Sequence, residues 1–294
     1  MSPTASLLLP LVAALGYAFA ALMLKRGTDG AGPWRVNFMS NWVQAAIFSL
    51  LWFLPAEHAA SFRNVSHALI AGSIFFVGQV FTFLALSRGD VSVATPVLGA
   101  KVIFVALYSA ALGTEKIGPS MWLAVLLTAG ATALLGSGGP HTQRDAVVRS
   151  ILYGLTAAAF YAATDIVQLL WVREWGITHY LPTMFYAVSA LSLTLLPVIL
   201  RDRREVSGAS WRWMVGGSAV LGCQAGGVTL SIITIGATAT NVLYNSRGLW
   251  SVMLVWTIGH WFGNAERGHG RAVMLRRFCG SLLLLAAIVL MTHR

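Results

Sequence analysis

The chain has 294 residues, of which 57% are hydrophobic and only 10% are charged, and its mean hydropathy is +0.72. Soluble domains average about 25% charged residues, so this composition excludes a mainly soluble protein. The formal net charge of +10 lies largely in short loops between apolar runs, where arginines orient spans and meet anionic lipid headgroups, so we expect membrane lipids and no nucleic acid as partners.

Ten apolar runs come close to the roughly 20 residues that a membrane-spanning helix needs. In chain order they cover residues 5–24, 34–54, 68–87, 91–113, 119–137, 148–171, 181–200, 212–235, 238–262 and 273–292. The first run lacks the basic segment that precedes a cleaved signal, so we interpret it as a span. The polar, Gly/Pro-containing segment 138–147 separates a first half, 1–137, from a second half, 148–294.

The two halves share short sequence matches at nearly constant separation. AGS at 71–73 matches GGS at 216–218, GQ at 78–79 matches CQ at 223–224, and GYA at 16–18 matches FYA at 160–162. Because each half holds five spans, the two halves must insert in opposite orientations. The sequence therefore predicts an inverted repeat, which is typical of secondary transporters that bind their substrate near the midplane.

Two basic residues interrupt apolar spans at corresponding positions. Lys101 follows Gly89 by 12 residues in the fourth span, and Arg247 follows Gly236 by 11 residues in the ninth. A lysine at the bilayer centre costs about 2.5–3.5 kcal/mol on insertion scales, so both side chains should face protein or water. Both could anchor a substrate carboxylate or phosphate. The alternatives are an ion pair with Asp165 for either cation, a snorkelling lysine, or a backbone carbonyl partner for the arginine.

Asp165 is the one acidic residue well inside a predicted span, and it shares a helical face with Tyr161 and Gln168. Its carboxyl group could carry a coupling proton or bind a substrate ammonium group. A salt bridge that only neutralises Lys101 or Arg247 is an equal alternative.

Further polar and aromatic side chains extend the predicted cavity wall. Asn37, Asn41 and Gln44 form a polar stripe along the second span. Any one amide could be an interhelical contact worth about 0.6 kcal/mol, but together they favour a hydrogen-bonding cavity with aromatic edges. The predicted substrate-binding residues are Lys101, Arg247, Tyr17, Tyr161, Tyr244, Asn245, Asn41, Gln79 and Gln224, with Asp165 as a proton-coupling or ion-pair residue.

No enzyme signature occurs in the sequence. A P-loop, a GxSxG motif and an HExxH motif are all missing. The seven histidines lack metal-ligand spacing, and Cys223 and Cys279 fall in apolar runs. We therefore predict a protein that is not an enzyme, without catalytic residues, metal or cofactor, and without direct use of ATP.

The fourth span of each half ends at a glycine–glutamate corner, GTEK at 113–116 and GNAER at 263–267. With its ten spans in two halves, the chain resembles the drug/metabolite transporter superfamily, most closely the EamA-like family. The resemblance implies an all-α membrane protein of ten transmembrane helices around a central cavity that alternates access. It also implies export of amino acids or other small metabolites, and the related sugar-phosphate translocators place basic residues on the fourth and ninth helices.

We therefore predict a secondary transporter, and by family resemblance an exporter, of small zwitterionic or anionic metabolites such as amino acids. We expect it in the bacterial inner membrane as a monomer or homodimer, with the proton as a candidate coupling ion. A phosphate-ester or organic-anion exchanger is the alternative within this class. A membrane-embedded enzyme acting on a lipid is the alternative from another class, but the sequence lacks the paired acid and histidine at one interface that it would need.

Orientation gives the first testable prediction. The connections after odd-numbered spans hold fourteen lysines and arginines, against four on the other side, which places the odd-numbered loops in the cytoplasm and both termini outside. The family resemblance implies both termini inside. A C-terminal reporter that is active only in the periplasm should therefore be active, and a matched cytoplasmic reporter should be silent. The reverse pattern would refute this orientation.

Overall fold

The computed structural model describes residues 3–55, 58–88, 97–136, 144–202, 204–258, 261 and 271–292. These residues are largely helical, and no strand occurs among them. Five helices are long and apolar enough to cross a membrane: Ser6–Ala31, Phe62–Ala85, Val147–Trp175, Ile177–Arg201 and Gly208–Ile235. The chain is therefore an integral, multi-pass membrane protein.

The described helices overlap all ten predicted spans. In the first half they are α1 (Pro3–Ala31), α2 (Pro33–Ser49), α3 (Phe62–Arg88), α4 (Lys101–Leu112) and α5 (Pro119–Gly136). In the second half they are α6 (Arg144–Trp175), α7 (Ile177–Ser192), α8 (Leu196–Arg201), α9 (Gly208–Ile235), α10 (Ala237–Tyr244), α11 (Arg247–Ile258) and α12 (Arg271–Thr292). Short 3-10 helices follow α2 at Leu50–Phe53 and join α7 to α8 at Leu193–Leu195.

The observed helix ends differ from the predicted span ends for two physical reasons. Helices α1, α3 and α6 continue past the predicted limits because helical hydrogen bonding persists beyond the apolar run that hydropathy detects. The predicted spans 91–113 and 238–262 contain a turn, at residues 99–100 before α4 and at residues 245–246 between α10 and α11. Residues 89–96, 262–270 and most of the predicted linker 138–147 lie outside the described residues.

Contacts between neighbouring helices establish their relative directions. Helix α1 is antiparallel to α9, α2 is parallel to α9, and α3 is antiparallel to both α2 and α6. We call the end where α1 and α3 finish the odd end, and the end where α2, α6 and α9 finish the even end. The contacts that set these directions join Gly16 to Gln224, Gly30 to Ser210, Ser40 to Ser218, Phe48 to Gly226, Trp34 to Phe83, and Arg63 to Glu174.

Apolar packing closes the even end between α2, α3, α6 and α7. We call this group the even-end cluster; its buried members are Ala45, Phe48, Ala68, Ala71, Val172, Trp175, Tyr180, Leu181, Met184 and Phe185. Burial of a large apolar side chain stabilises the packed state by about 1.5–3 kcal/mol in water-based transfer measurements. Inside a bilayer the stabilisation comes mainly from van der Waals packing, which close helix contacts maximise.

One such close contact generates a stability prediction. At Gly72 in α3, an added Cβ would overlap the Met184 carbonyl oxygen and lie 2.8 Å from the Ala187 Cβ. Gly72→Ala should therefore lower the free energy of unfolding by about 1–3 kcal/mol, measured by thermal unfolding in detergent. Gly130→Ala in α5 is the matched control, because its nearest neighbour would be 4.0 Å away. Equal stability of the two variants would contradict this packing.

Candidate functional site

A cavity of about 410 Å³ lies inside the helix bundle. At the odd end it reaches Lys25, Thr28 and Pro33, where α1 finishes and α2 begins. It extends inward as far as Met184 and Phe185, which also belong to the even-end cluster. The cavity therefore reaches one end of the protein while packed apolar side chains occupy the other. A volume of this size is within the usual range for small-molecule sites.

The structure brings eight of the ten predicted site residues to this cavity. They come from α1, α3, α6, α9, α10 and the first residues of α4 and α11. The eight are Tyr17, Gln79, Lys101, Tyr161, Asp165, Gln224, Tyr244 and Arg247.

Asn41 and Asn245 are buried but are not among the cavity-lining residues. Asn41 Nδ2 donates to Gln79 Oε1 at 3.1 Å, and Gln79 Nε2 donates back to Asn41 Oδ1 at 2.9 Å. Asn41 thus holds the Gln79 amide in place from behind. Asn37 and Gln44, the other members of the stripe on α2, line the cavity instead. Asn41 lies about 40° around the helix from Asn37, which is enough to turn it toward α3.

An ion pair joins two spans at the inner end of the cavity. Lys101 Nζ lies 2.6 Å from Asp165 Oδ2, and these side chains are only 16% and 7% exposed. Asn241 Nδ2 donates to the same carboxylate oxygen at 2.6 Å. The Asp165 carboxylate on α6 is therefore held by a cation on α4 and an amide on α10. The structure thus contains the ion pair between Lys101 and Asp165, which is one of the arrangements that the sequence allows for this lysine.

Arg247 has different surroundings from Lys101. Its guanidinium carbon lies 4.9 Å from the ring centroid of Tyr17 and 5.0 Å from that of Tyr244, within cation–π range. Tyr244 is itself held by donating its hydroxyl to Gln224 Oε1 at 2.8 Å. Among the described residues, no carboxylate pairs with Arg247. Together with the neutralised Lys101–Asp165 pair, Arg247 leaves the inner cavity with a formal charge of +1.

Both cations occupy the first residue of a helix that follows a turn. Helix α4 begins at Lys101 and α11 begins at Arg247. The first backbone N–H groups of a helix carry partial positive charge, so a helix start attracts anions and disfavours cations. The preceding turns already supply acceptors for several of these N–H groups: the Ala100 carbonyl accepts from Ile103 and the Asn245 carbonyl accepts from Gly248. The preference for an anionic group in this part of the cavity therefore comes from the side-chain charge of Arg247.

Several cavity residues were missed from the sequence although a signal for them exists. Lys25 and Thr28 continue the face of α1 that carries Tyr17, at spacings of eight and eleven residues. Phe75 precedes Gln79 by one helical turn and packs against Tyr161 with ring centroids 5.4 Å apart. Extending each predicted polar face along its own helix would have found these positions.

Two further hydrogen bonds support the cavity wall. Thr82 Oγ1 lies 3.3 Å from the Tyr161 hydroxyl, and Thr229 Oγ1 donates to Gln168 Oε1 at 2.7 Å. These contacts join α3 to α6 and α9 to α6. They hold polar side chains in fixed orientations around the cavity.

Comparisons with known proteins agree with this architecture. Residues 4–137 match the sequence profile of the EamA-like transporter family. A solved crystal structure is similar to the chain with a TM-score of 0.73 and 18% sequence identity, over 98% of this chain and 96% of the other. At that identity the likeness concerns the fold alone. Comparison with curated proteins gives no match.

The buried ion pair generates the prediction of this subsection. Lys101→Met or Asp165→Asn alone should lower the free energy of unfolding by about 3–5 kcal/mol, because each leaves a buried charge without its partner. The double variant should be more stable than either single variant in thermal unfolding experiments.

The control is an exposed pair. Arg204 Nε lies 3.5 Å from Asp202 Oδ1, and these side chains are 60% and 34% exposed. Arg204→Gln should change the free energy of unfolding by about 0–1 kcal/mol. A double variant of Lys101 and Asp165 that is no more stable than its worse parent would show that the two charges do not compensate each other.

Proposed function

Residues 4–137 match the EamA-like transporter family, part of the drug/metabolite transporter superfamily, and from that premise we propose that the whole chain is a secondary transporter. The family resemblance inferred from the sequence is confirmed over this part of the chain. We propose that the solutes are small organic anions or zwitterions such as amino acids. We further propose the bacterial inner membrane as its location and export as its direction.

The observation that carries this proposal is the environment of Arg247. This guanidinium lies deep in a cavity, against two tyrosine rings, without a carboxylate partner among the described residues. A buried cation is stabilised by a nearby anion, and a guanidinium can donate two parallel hydrogen bonds to a carboxylate or phosphate. A solute that carries such a group would neutralise the charge of Arg247 when it binds.

The pairing of helices supports the proposed inverted repeat. In an inverted repeat, each of the first five spans corresponds to the span five places later. The packed pair of spans 1 and 8 (α1 and α9) then corresponds to the packed pair of spans 6 and 3 (α6 and α3). Likewise, spans 2 and 8 (α2 and α9) correspond to spans 7 and 3 (α7 and α3). Single-glycine connections at Gly32 and Gly176 lie 144 residues apart and have φ values of 78° and 91°. Lys101 and Arg247 also start helices at corresponding places.

The position of the cavity supports alternating access. The cavity reaches the odd end, and the even-end cluster packs against its inner wall. In an inverted repeat, exchanging the conformations of the two halves would close the odd end and open the even end around the same central residues. Lys101, Asp165 and Arg247 would then meet the solute from either side of the membrane.

The contacts of Asp165 bear on the substrate class within this proposal. A zwitterion needs an acceptor for its ammonium group, and Asp165 already accepts from Lys101 and Asn241. This pairing favours organic-anion or phosphate-ester exchange as the second candidate. Protonation of Asp165 would release Lys101 for a second anionic group, which is how a proton would couple to transport here.

The test begins with a thermal-stabilisation screen of purified protein against amino acids, carboxylic acids and sugar phosphates. For a solute that stabilises the protein, Arg247→Gln should weaken binding roughly ten- to hundredfold, because charge-assisted hydrogen bonds contribute about 1.5–3 kcal/mol. Arg247→Lys keeps the charge but loses the planar fork and should recover affinity only in part. Arg212→Gln, at an exposed position on α9, is the control and should bind normally.

Solute analogues then identify the group that Arg247 binds. An esterified analogue should bind the wild type weakly and lose little more in Arg247→Gln. An N-acylated analogue should bind well if the solute is recognised as an anion and poorly if it is recognised as a zwitterion. An ester that binds as tightly as its parent acid would refute the assignment of Arg247 as the anion anchor.

A further inference from the structure

Helix α10 connects the cavity to the even end of the protein. All eight of its residues, Ala237–Tyr244, are buried, and at about 1.5 Å per residue the helix is about 12 Å long. Its last residue, Tyr244, lies against the Arg247 guanidinium in the cavity. Its first turn lies at the even end, where α9 finishes and α10 begins. One short, fully buried helix therefore links the packing at the even end to the wall of the cavity.

The first turn of α10 is capped by a residue from a distant part of the chain. Helix α10 begins after Gly236, which offers no side chain for capping. Instead, Glu115 Oε2 accepts from the Thr238 backbone N–H at 3.0 Å and from Thr238 Oγ1 at 2.6 Å. Ser109 Oγ donates to the same oxygen at 2.8 Å. A carboxylate at a helix start is favoured by the backbone N–H groups and by the helix dipole.

Two glycines make this contact possible. Gly113 ends α4 with φ 65°, which turns the chain so that Glu115 folds back toward Ser109. Gly236 has φ 92°, and a Cβ at this position would overlap Glu115 Oε1. Both φ values lie in the left-handed region that glycine adopts readily. The backbone of both spans is thus shaped around this one carboxylate.

Helix α10 is held at two further points. Asn241, one turn after Thr238, donates to Asp165 in the central ion pair. Tyr244, nearly one turn later, donates to Gln224. The even-end contact, the central ion pair and the tyrosine wall of the cavity are therefore carried by successive turns of one buried helix.

We propose that Glu115 is a positioning residue for transport: by capping α10 it holds Tyr244 against Arg247 and keeps the even end closed while the cavity faces the odd end. Opening the even end then requires release of the Glu115–Thr238 contact between α4 and α10 together with separation of the even-end cluster. This inference rests on the proposed alternating access. It assigns a dynamic role to a corner that could otherwise be a static helix cap.

The two roles predict different accessibility changes, which cysteine labelling can measure. In a background of Cys223→Ser and Cys279→Ser, Ile232→Cys reports on the even end, because Ile232 is fully buried beside Ala237. Thr28→Cys reports on the odd end of the cavity. Both variants are treated with a hydrophilic maleimide in open membrane fragments. The reagent then reaches both faces of the protein but does not enter the lipid. The assay needs no solute.

Glu115→Gln should raise the labelling rate at Ile232→Cys about tenfold and lower the rate at Thr28→Cys, because loss of the charge-assisted cap shifts the population toward the even-facing state. Thr238→Val should act in the same direction, and it provides the same test if Glu115→Gln does not fold. Glu205→Gln removes an exposed glutamate and should change neither rate.

A static cap gives a different result. If Glu115 only stabilises the fold, its loss should raise labelling at both reporters together, and that outcome overturns the proposal. Unchanged labelling at both reporters in folded Glu115→Gln and Thr238→Val also overturns it. Opposite changes at the two reporters support the proposal even if no solute is transported, so its outcome is separable from that of the proposed function.

Discussion

The Lys101–Asp165 ion pair joins the fourth and sixth spans inside a largely apolar bundle, and the rest of the site depends on it. Either charge alone would be strongly disfavoured there, so the two spans must lie close enough to pair. Asn241 donates to the same carboxylate and brings in the ninth span. With Asp165 paired in this way, the inner part of the cavity retains the charge of Arg247.

The cavity wall combines the groups that we propose bind the solute with groups that hold them in position. Tyr17 and Tyr244 face the Arg247 guanidinium, and Gln224 fixes Tyr244 from behind. Asn41 on α2 holds Gln79 on α3 in the same way. Because these supporting contacts lie between rigid helices, the polar groups are preorganised before a solute arrives, which lowers the entropy lost on binding.

Under the proposed alternating access, this site would have to communicate with the closure at the even end. Helix α10 offers a direct route because one buried element carries Thr238 at the even end and Tyr244 in the cavity. The turn at residues 245–246 separates α10 from α11 and interrupts the predicted ninth span beside Arg247. Such a break near a central site is typical of secondary transporters, in which interrupted helices line the substrate cavity.

The sequence by itself determined that the chain is a helical, multi-pass membrane protein and that its central charges point inward. The reason is that lipid solvates neither an exposed backbone nor a lysine or arginine side chain. Helical periodicity likewise placed Tyr161, Asp165 and Gln168 on one face. Only the tertiary structure decided that Asp165 pairs with Lys101 while Arg247 packs on tyrosines. It also decided that Asn37 and Gln44 line the cavity while Asn41 lies behind it. Finally, it showed that Glu115 caps a helix 123 residues away in the sequence. Helical periodicity shows which residues share a face of a helix. It does not show how that helix is rotated in the bundle or which helix the face contacts, because packing between segments distant in sequence sets both.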